Sequence, residues 1–572
     1  MVWLREGNAD DKMGAAELKR LLWILPFVLF ACQGPTQISR GVGDKWYVAT
    51  TGSDSHGKGT LADPWLTIKH AADTITGAAF YGDTIMVGPG TFTENTQIAL
   101  GVGVSLKLSA TTTITTASAL NPIILLSSAT ENTDGNQSIS GGIFDGDSTA
   151  LIAIRVLGRG NVKIHDCMFN EFLTNAVRLT GRVAAGDGAP TTYAEDNYVY
   201  DCTFTTCGGE VYSAPYYFAS AAISLGGQKD AQVYDNTIYN NVGNYAYGIN
   251  SNSQGYNCGL NIHDNTIYTS PRRMDDGQWN FAIELWNNRG GITIKDNYVT
   301  GSIDFGGAGS DDSQGYGFAL LVEGNTVEQP ALQAYNQTGI ILESDMSGGA
   351  RVIRNKIKNC SNGIALNLLS GPLDVQSDIT IAYNLIIETL KTTGNYSGRG
   401  INHGTAVSGA VVNRLKIYNN TFYSTSYISS AGVHFASSGV TYNDLEIRNN
   451  IFYRQYNSVR FENNTVAGFD VTNNMFYLQT NAVSFVSATA SDSVTIPRIL
   501  ADPAFRSGSL RLSSTSPAIN AGTNVSLTTD YFGHRVPQNG TVDIGAHEYG
   551  DYLIKIGGKF LRTANGKLIY IH

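Results

Sequence analysis

The chain of 572 residues is poor in charge, in long apolar runs and in clustered cysteine, and each shortage narrows what it does. Only 15% of its residues are Asp, Glu, Lys or Arg, they leave a formal net charge of −10, and no basic run interrupts them. Neutralising phosphates needs clustered Lys and Arg, so no nucleic-acid partner is expected. The six cysteines contain no CxxC pair and the nine histidines no HExxH, which argues against a structural zinc or a thiol nucleophile. The apolar run LLWILPFVLF (21–30) is too short to span a bilayer comfortably, which takes about 20 apolar residues. With Lys19-Arg20 before it and Ala31-Cys32 after it, the run has the order of an export signal, so residues 1–40 are expected to be a targeting segment.

What the chain has instead is 63 glycines and a repeated phrase. LKIYNNTFYST (415–425) and LEIRNNIFYRQ (445–455) are two instances of a pattern that recurs every 24 to 36 residues. Its central position is Cys167, Cys202, Asn236, Asn265, Asn297, Asn325, Asn355, Asn384, Asn420, Asn450 and Asn474. Three residues earlier every register has Ile or Val, and two residues later every register has Phe, Ile or Val. Repeats of this period, with such pure columns, predict a parallel β-solenoid whose coils stack about 4.8 Å apart. Asn at the centre is expected to form the bend and to bond its neighbour in the next coil, with Tyr239, Tyr268, Tyr423, Tyr453 and Tyr477 stacked outside. A further strand follows each bend, with a small residue before an aliphatic one, as in NAVRL (175–179), FAIEL (281–285) and AGVHF (431–435). The expected fold is therefore all-β, a right-handed parallel β-helix over 41–500, its hand taken from the crossover rule and from the family resemblance given below. A helix over about 65–76, with Leu66, Ile68, Ala71, Ala72 and Ile75 on one face, would cap the first coil. After Gly550 the turn signals Gly557-Gly558 and Asn565-Gly566 predict a small β-meander over 551–572. Cys202 has Cys167 and Cys207 as conceivable disulfide partners in an exported protein.

Three stretches resemble known families. Residues 46–95 look like the N-terminal cap of polysaccharide lyase family nine and related β-helix surface proteins. ADPAFRSGSLRLSSTSPAINAGT (501–523), DYFGHR (530–535) and VDIGAHEYG (542–550) are similar to the choice-of-anchor Q ending of secreted bacterial β-helix proteins. Leu29-Phe30-Ala31-Cys32 resembles a bacterial lipobox, which implies a lipid on Cys32 and anchorage to a membrane, as an outer-membrane or cell-surface lipoprotein, against secretion as the alternative. Together these imply a pectate-lyase-like, exported protein whose partner is a polysaccharide; they do not transfer a catalytic set, because the same frame hosts many chemistries.

Aligning the later strands on their inward aliphatic residue gives one outward column, Arg178, Ser224, Asn250, Glu284, Asp304, Ile341, Ala365, Asn402, His434 and Arg460. A second, two residues on, contains Trp286, Gly306, Glu343, Asn367, Gly404 and Glu462. Glu284 and Asp304 are thus expected on adjacent coils about 5 Å apart, with Glu343 on the next. Carboxylates so close need a cation or a shared proton, and about 5–5.5 Å is the separation of a retaining glycosidase pair. Glu284, Asp304 and Glu343 are the candidate catalytic residues, and Glu284 with Asp304 would hold Ca²⁺ if a cation is used. Trp279 and Trp286 offer faces for sugar rings, Arg272 and Arg273 a fork for carboxylate or sulfate, and Asn250 and His434 polar contacts. A second-ranked face carries Lys295, His263 and Tyr234, suited to the base and acid of a β-elimination. The expected function is polysaccharide binding and cleavage by lyase or glycosidase chemistry; the alternatives are a non-catalytic adhesin and a phage-tailspike-like depolymerase.

Overall fold

One coil of the chain is three short strands, and the reason is visible in a single repeat. In Tyr198–Tyr200 and Thr203–Thr205 the central Val199 or Phe204 is buried between less buried neighbours, whereas Ala221–Gly226 is buried on both faces. In the computed structural model these strands join three parallel sheets of 18, 14 and 15 strands, referred to below as the first, second and third sheets. The structure describes residues 43–182, 192–208, 220–240, 247–251, 255–269, 281–329, 338–368, 375–389, 398–406, 409–425, 429–436, 439–462, 465–486, 489–490, 498–538 and 540–550, together with short strands between 552 and 571. The predicted parallel β-helix is the observed fold.

The register follows the columns of the sequence rung by rung. Ile164 pairs with Val199, Val199 with Val233 and Val233 with Ile262, and the row continues to Val471. Phe169, Phe204 and Ile238 form the matching row of the third sheet, and Phe144, Phe169 and Phe204 stack at 5.1 and 5.0 Å. All of these belong to one continuous apolar core. The small residue of the second-sheet strand is also explained: a Cβ at Gly363 would lie 2.5 Å from Gly400 O and 2.8 Å from Ile386 Cγ2.

The asparagine column is a buried ladder. Asn325 donates from its backbone N and its Nδ2 to Asn355 Oδ1, at 3.0 Å each, and Asn355 does the same to Asn384 at 2.9 and 3.0 Å. Each Nδ2 also reaches the carbonyl two residues back and one on the preceding coil. The bend itself is made one residue earlier than the sequence pattern suggests. Asp235, Asp264, Asp296, Gly324, Arg354, Tyr383, Asn419 and Asn449 occupy the left-handed region there, a conformation that Gly, Asn and Asp enter most readily. Cys167 and Cys202 begin this column and direct their thiols to His165 O and Tyr200 O. All five cysteines among the described residues are free, so the conceivable disulfides are not formed.

The cap helix is shorter than expected, Ile68–Thr74. Thr67 starts it by accepting from His70 N at 3.1 Å, and Asp54 accepts from Leu66 N, Thr67 N and Thr67 Oγ1. Leu66 therefore lies outside the helix and is exposed, while Ile68, Ala71, Ala72 and Ile75 enter the core.

Residues 501–550 wrap the outside of the late coils. Asn419 Nδ2 donates to Asp543 O, Ala546 N to Thr421 Oγ1 and Gly545 N to Asn449 O. Gly545 has φ 96°, and a Cβ there would stand 2.4 Å from Ile451 Cδ1. Three buried carboxylates knot the wrap. Asp530 accepts from His534 N and Glu548 N, Asp543 from Asn520 N and Tyr549 N, and Glu548 from Gln538 N and Asp543 N. Burial, then the Asp543 charge, pushes Glu548 up to about 7; burial pushes Asp543 up to about 6. Carboxyls with raised folded-state pKa values hold protons that the unfolded chain has lost, so stability falls as pH rises between the unfolded value near 4.5 and about 7. Limited proteolysis of the full chain should accordingly cut the wrap faster at pH 7.5 than at pH 5, with Glu548→Gln flattening the difference. Beyond it, Tyr552–Leu553 pairs antiparallel with Tyr570–Ile571, and Lys555–Ile556 with Lys559–Phe560, as two separate two-stranded sheets.

Candidate functional site

The outward column of the second sheet is assembled as its spacing predicts. Arg178 pairs with Ser224, Ser224 with Asn250, Asn250 with Glu284 and Glu284 with Asp304. The row continues through Ile341, Ala365, Asn402, His434 and Arg460. Glu284 and Asp304 are thus one coil spacing apart, about 4.8 Å between backbones, on the strands Phe281–Asn288 and Ser302–Ser310. Ile283, Leu285, Ile303 and Phe305 point into the core and hold both strands in place.

The second column brings Trp286 and Glu343 together over a glycine. Trp286 pairs with Gly306, and a Cβ at Gly306 would lie 3.1 Å from Trp286 Nε1 and 3.4 Å from Glu343 Oε2. Glu343 in turn accepts from Asn367 Nδ2 at 3.4 Å. Past Ala365 the register shifts, so Asn367 pairs with Thr405 rather than the expected Gly404. Trp279, Arg272 and Arg273 lie outside the described residues.

In one respect the site differs from a surface cleft. Glu284 is 5% exposed and Asp304 2%, and Asn250 is buried as well. The outward side of the sheet also carries Ala221, Tyr247, Phe281, Ile341 and Ala365 as a packed apolar cluster. Strict alternation of apolar and polar residues reads as a solvated face, and what covers a face is not written in the strand. The acidic loop at 309–317 is used locally: Asp312 accepts from Tyr316 N and Gly317 N, and Asp311 pairs with Arg289.

The second-ranked residues stand elsewhere, on the first sheet. His165, Tyr200, Tyr234 and His263 stack face to face at 4.8, 4.9 and 5.0 Å. His263 Nδ1 is 2.7 Å from Asp264 and Lys295 Nζ 3.7 Å from Asp296. The ring faces of Tyr234 are occupied by its neighbours, and burial raises its pKa above the usual phenol value.

Reading single columns missed two features. Arg155 precedes Arg178 in the same outward row, and AIRVL (153–157) carries the small-aliphatic signal that marks it. The third sheet and the wrap also enclose a groove of about 670 Å³ containing Tyr423, Tyr453, Phe505, Arg506 and Phe532. Asp530, His534 and His547 bring ligand atoms within 4.8 Å of one another, but His547 Nδ1 already accepts from Leu512 N and Asp530 holds two backbone amides.

No family model and no curated protein matches the chain. Solved structures do: the tailspike of E. coli bacteriophage HK620 as a double mutant, at 13% identity over 79% of this chain and 78% of that one (TM-score 0.43). The Streptococcus pneumoniae surface adhesin PfbA matches at 12% over 73% and 87% (TM-score 0.38), and the pectate lyase Pel9A at 12% over 90% and 98% (TM-score 0.35). Likenesses this distant carry no argument about this chain; the register above is what establishes it as a parallel β-helix.

Proposed function

We propose that the chain is an exported polysaccharide-binding and polysaccharide-cleaving protein that works on the outward face of the second sheet. The observation that carries this is the in-register pair Glu284 and Asp304, flanked two residues on by Trp286 and, on the next coil, Glu343. One carboxyl serves as general acid to the leaving oxygen and the other as nucleophile or base, while Trp286 gives a sugar ring an apolar surface. Ca²⁺ at Glu284 and Asp304 is the variant of this reading that suits a lyase. Lipid on Cys32 would hold the protein at a membrane, and Cys32→Ala would then release it to the soluble fraction.

The burial of both carboxylates favours a second reading, a glycan-binding protein that does not cleave. Incubating the full chain with a panel of uronic-acid and neutral polysaccharides separates the readings. Unsaturated, ultraviolet-absorbing ends identify a lyase and new reducing ends alone a hydrolase; binding without product leaves the adhesin, and neither product nor binding across the panel defeats the proposal.

A further inference from the structure

Near the start of the second sheet, four side-chain polar groups face outward with nothing to bond. Val177 and Leu179 enter the core, so the alternation of the strand Asn175–Thr180 turns Arg178 and Thr180 the other way. Arg155 stands beside Arg178 one coil earlier and Ser224 one coil later, about 4.8 Å apart between backbones. Neither guanidinium makes an ion pair or side-chain hydrogen bond to a described residue, and the Nε of each is buried without a partner. Thr180 Oγ1 and Ser224 Oγ also lack partners, on residues 1% and 0% exposed.

This arrangement opposes folding twice over. Like charges set directly opposite on neighbouring strands repel, and every buried donor left unmet carries a desolvation cost. Burial lowers both guanidinium pKa values, and for Arg178 the Arg155 charge adds to it, but a value of about 10 leaves Arg178 cationic at neutral pH. A guanidinium only donates, whereas a hydroxyl donates or accepts, so one anionic acceptor would satisfy all four groups and cancel the repulsion. Solvent reaches the place, because Arg155 and Arg178 are half-buried, unlike the closed stretch of the row from Ser224 onward.

We propose that Arg155, Arg178, Thr180 and Ser224 form a binding site for one divalent tetrahedral oxyanion, a sulfate or phosphate group, free or as the ester of a larger ligand. Two stacked forks supply two positive charges and parallel N–H donors, which a tetrahedral dianion meets with separate oxygens while leaving others for the hydroxyls. A carboxylate has one charge and two oxygens in a plane, so it satisfies one fork and leaves the second unpaired. Arg178 is three coils from Glu284, about 14 Å, and the site neither requires nor supplies the cleavage proposed above.

The test is calorimetric titration of the full chain, in chloride buffer of constant ionic strength, with sulfate, phosphate, glucose 6-sulfate, glucose 6-phosphate and acetate. At least one of the first four should bind one per chain with Kd below about 1 mM and about tenfold or more tightly than acetate. An ester that binds more tightly than its inorganic ion supports the site as part of a larger ligand's, and equal binding supports a free ion. Arg155→Met/Arg178→Met should abolish binding, and Arg155→Lys/Arg178→Lys, which keeps the charge without the fork, should retain part of it. Without added anion the Met variant should melt as high as the wild type or higher, because a like-charge contact is removed; at about 10 mM of the tightest anion only the wild type should gain. Absence of stoichiometric binding by all four, equal binding by the Met variant, or acetate binding as tightly as the dianions overturns the proposal. So does a Met variant that melts well below the wild type in chloride alone, since the arginines would then have partners within the chain.

Discussion

Glu284→Gln and Asp304→Asn are each expected to lower kcat/KM on the cleaved glycan by about 100- to 10,000-fold, the range that one positioned acid or base supplies. Both substitutions keep the shape of the side chain, and the apolar residues on either side of each position remain anchored in the core. Melting temperature should therefore change little while product formation collapses. Two residues that act as a unit are not additive, so the double variant should be little worse than the weaker single one. Glu343→Gln, on the next coil, should cost less and raise KM more than it lowers kcat, because Glu343 meets Trp286 over Gly306 rather than the acid pair. If both isosteric variants retain wild-type rates, the carboxylates are structural and the cleavage site is elsewhere.

The second large effect is on stability. Asn355→Ala should lower stability by about 3 kcal/mol, from leaving buried donors without acceptors at about 1–3 kcal/mol each. Asn355 Oδ1 receives both the backbone N and the Nδ2 of Asn325, and its own Nδ2 serves Asn384 Oδ1 and two carbonyls. Bulk water does not reach them, because Asn325, Asn355 and Asn384 are fully buried. In a solenoid the damage should be confined to neighbouring coils. Hydrogen exchange should accelerate in the coils around 320–390 and remain slow near 160–240. Asn443→Ala, which removes a single bond to Asn413 Oδ1 from a half-buried side chain, is the control and should cost far less.

Much of this was readable in the chain because a solenoid writes its contacts as columns. Each inward Ile, Val or Phe packs on its own equivalent, so purity of a column is itself a contact list, and Glu284 beside Asp304 followed from alignment alone. The bend was displaced by one residue. Its left-handed position tolerates Arg354 and Tyr383 as well as Asp and Asn, so that column is mixed, whereas the ladder demands an amide. The wrap follows no column, so aligning strands does not reveal it. Asp530, Asp543 and Glu548 are near neighbours in sequence, 18 and 5 residues apart, but they meet through irregular turns that carry no period to align. The burial of the acid pair was hidden for the same reason: a strand's alternation shows which side chains share a face, and only other segments decide whether that face meets water.

The most direct measurement is a crystal structure of Asp304→Asn with an oligosaccharide from whichever panel glycan binds. The account predicts sugar rings along the outward face of the second sheet, one of them against Trp286 and the acid pair. Rings found instead in the groove of Tyr423, Phe505 and Phe532, with the second sheet bare, would contradict it.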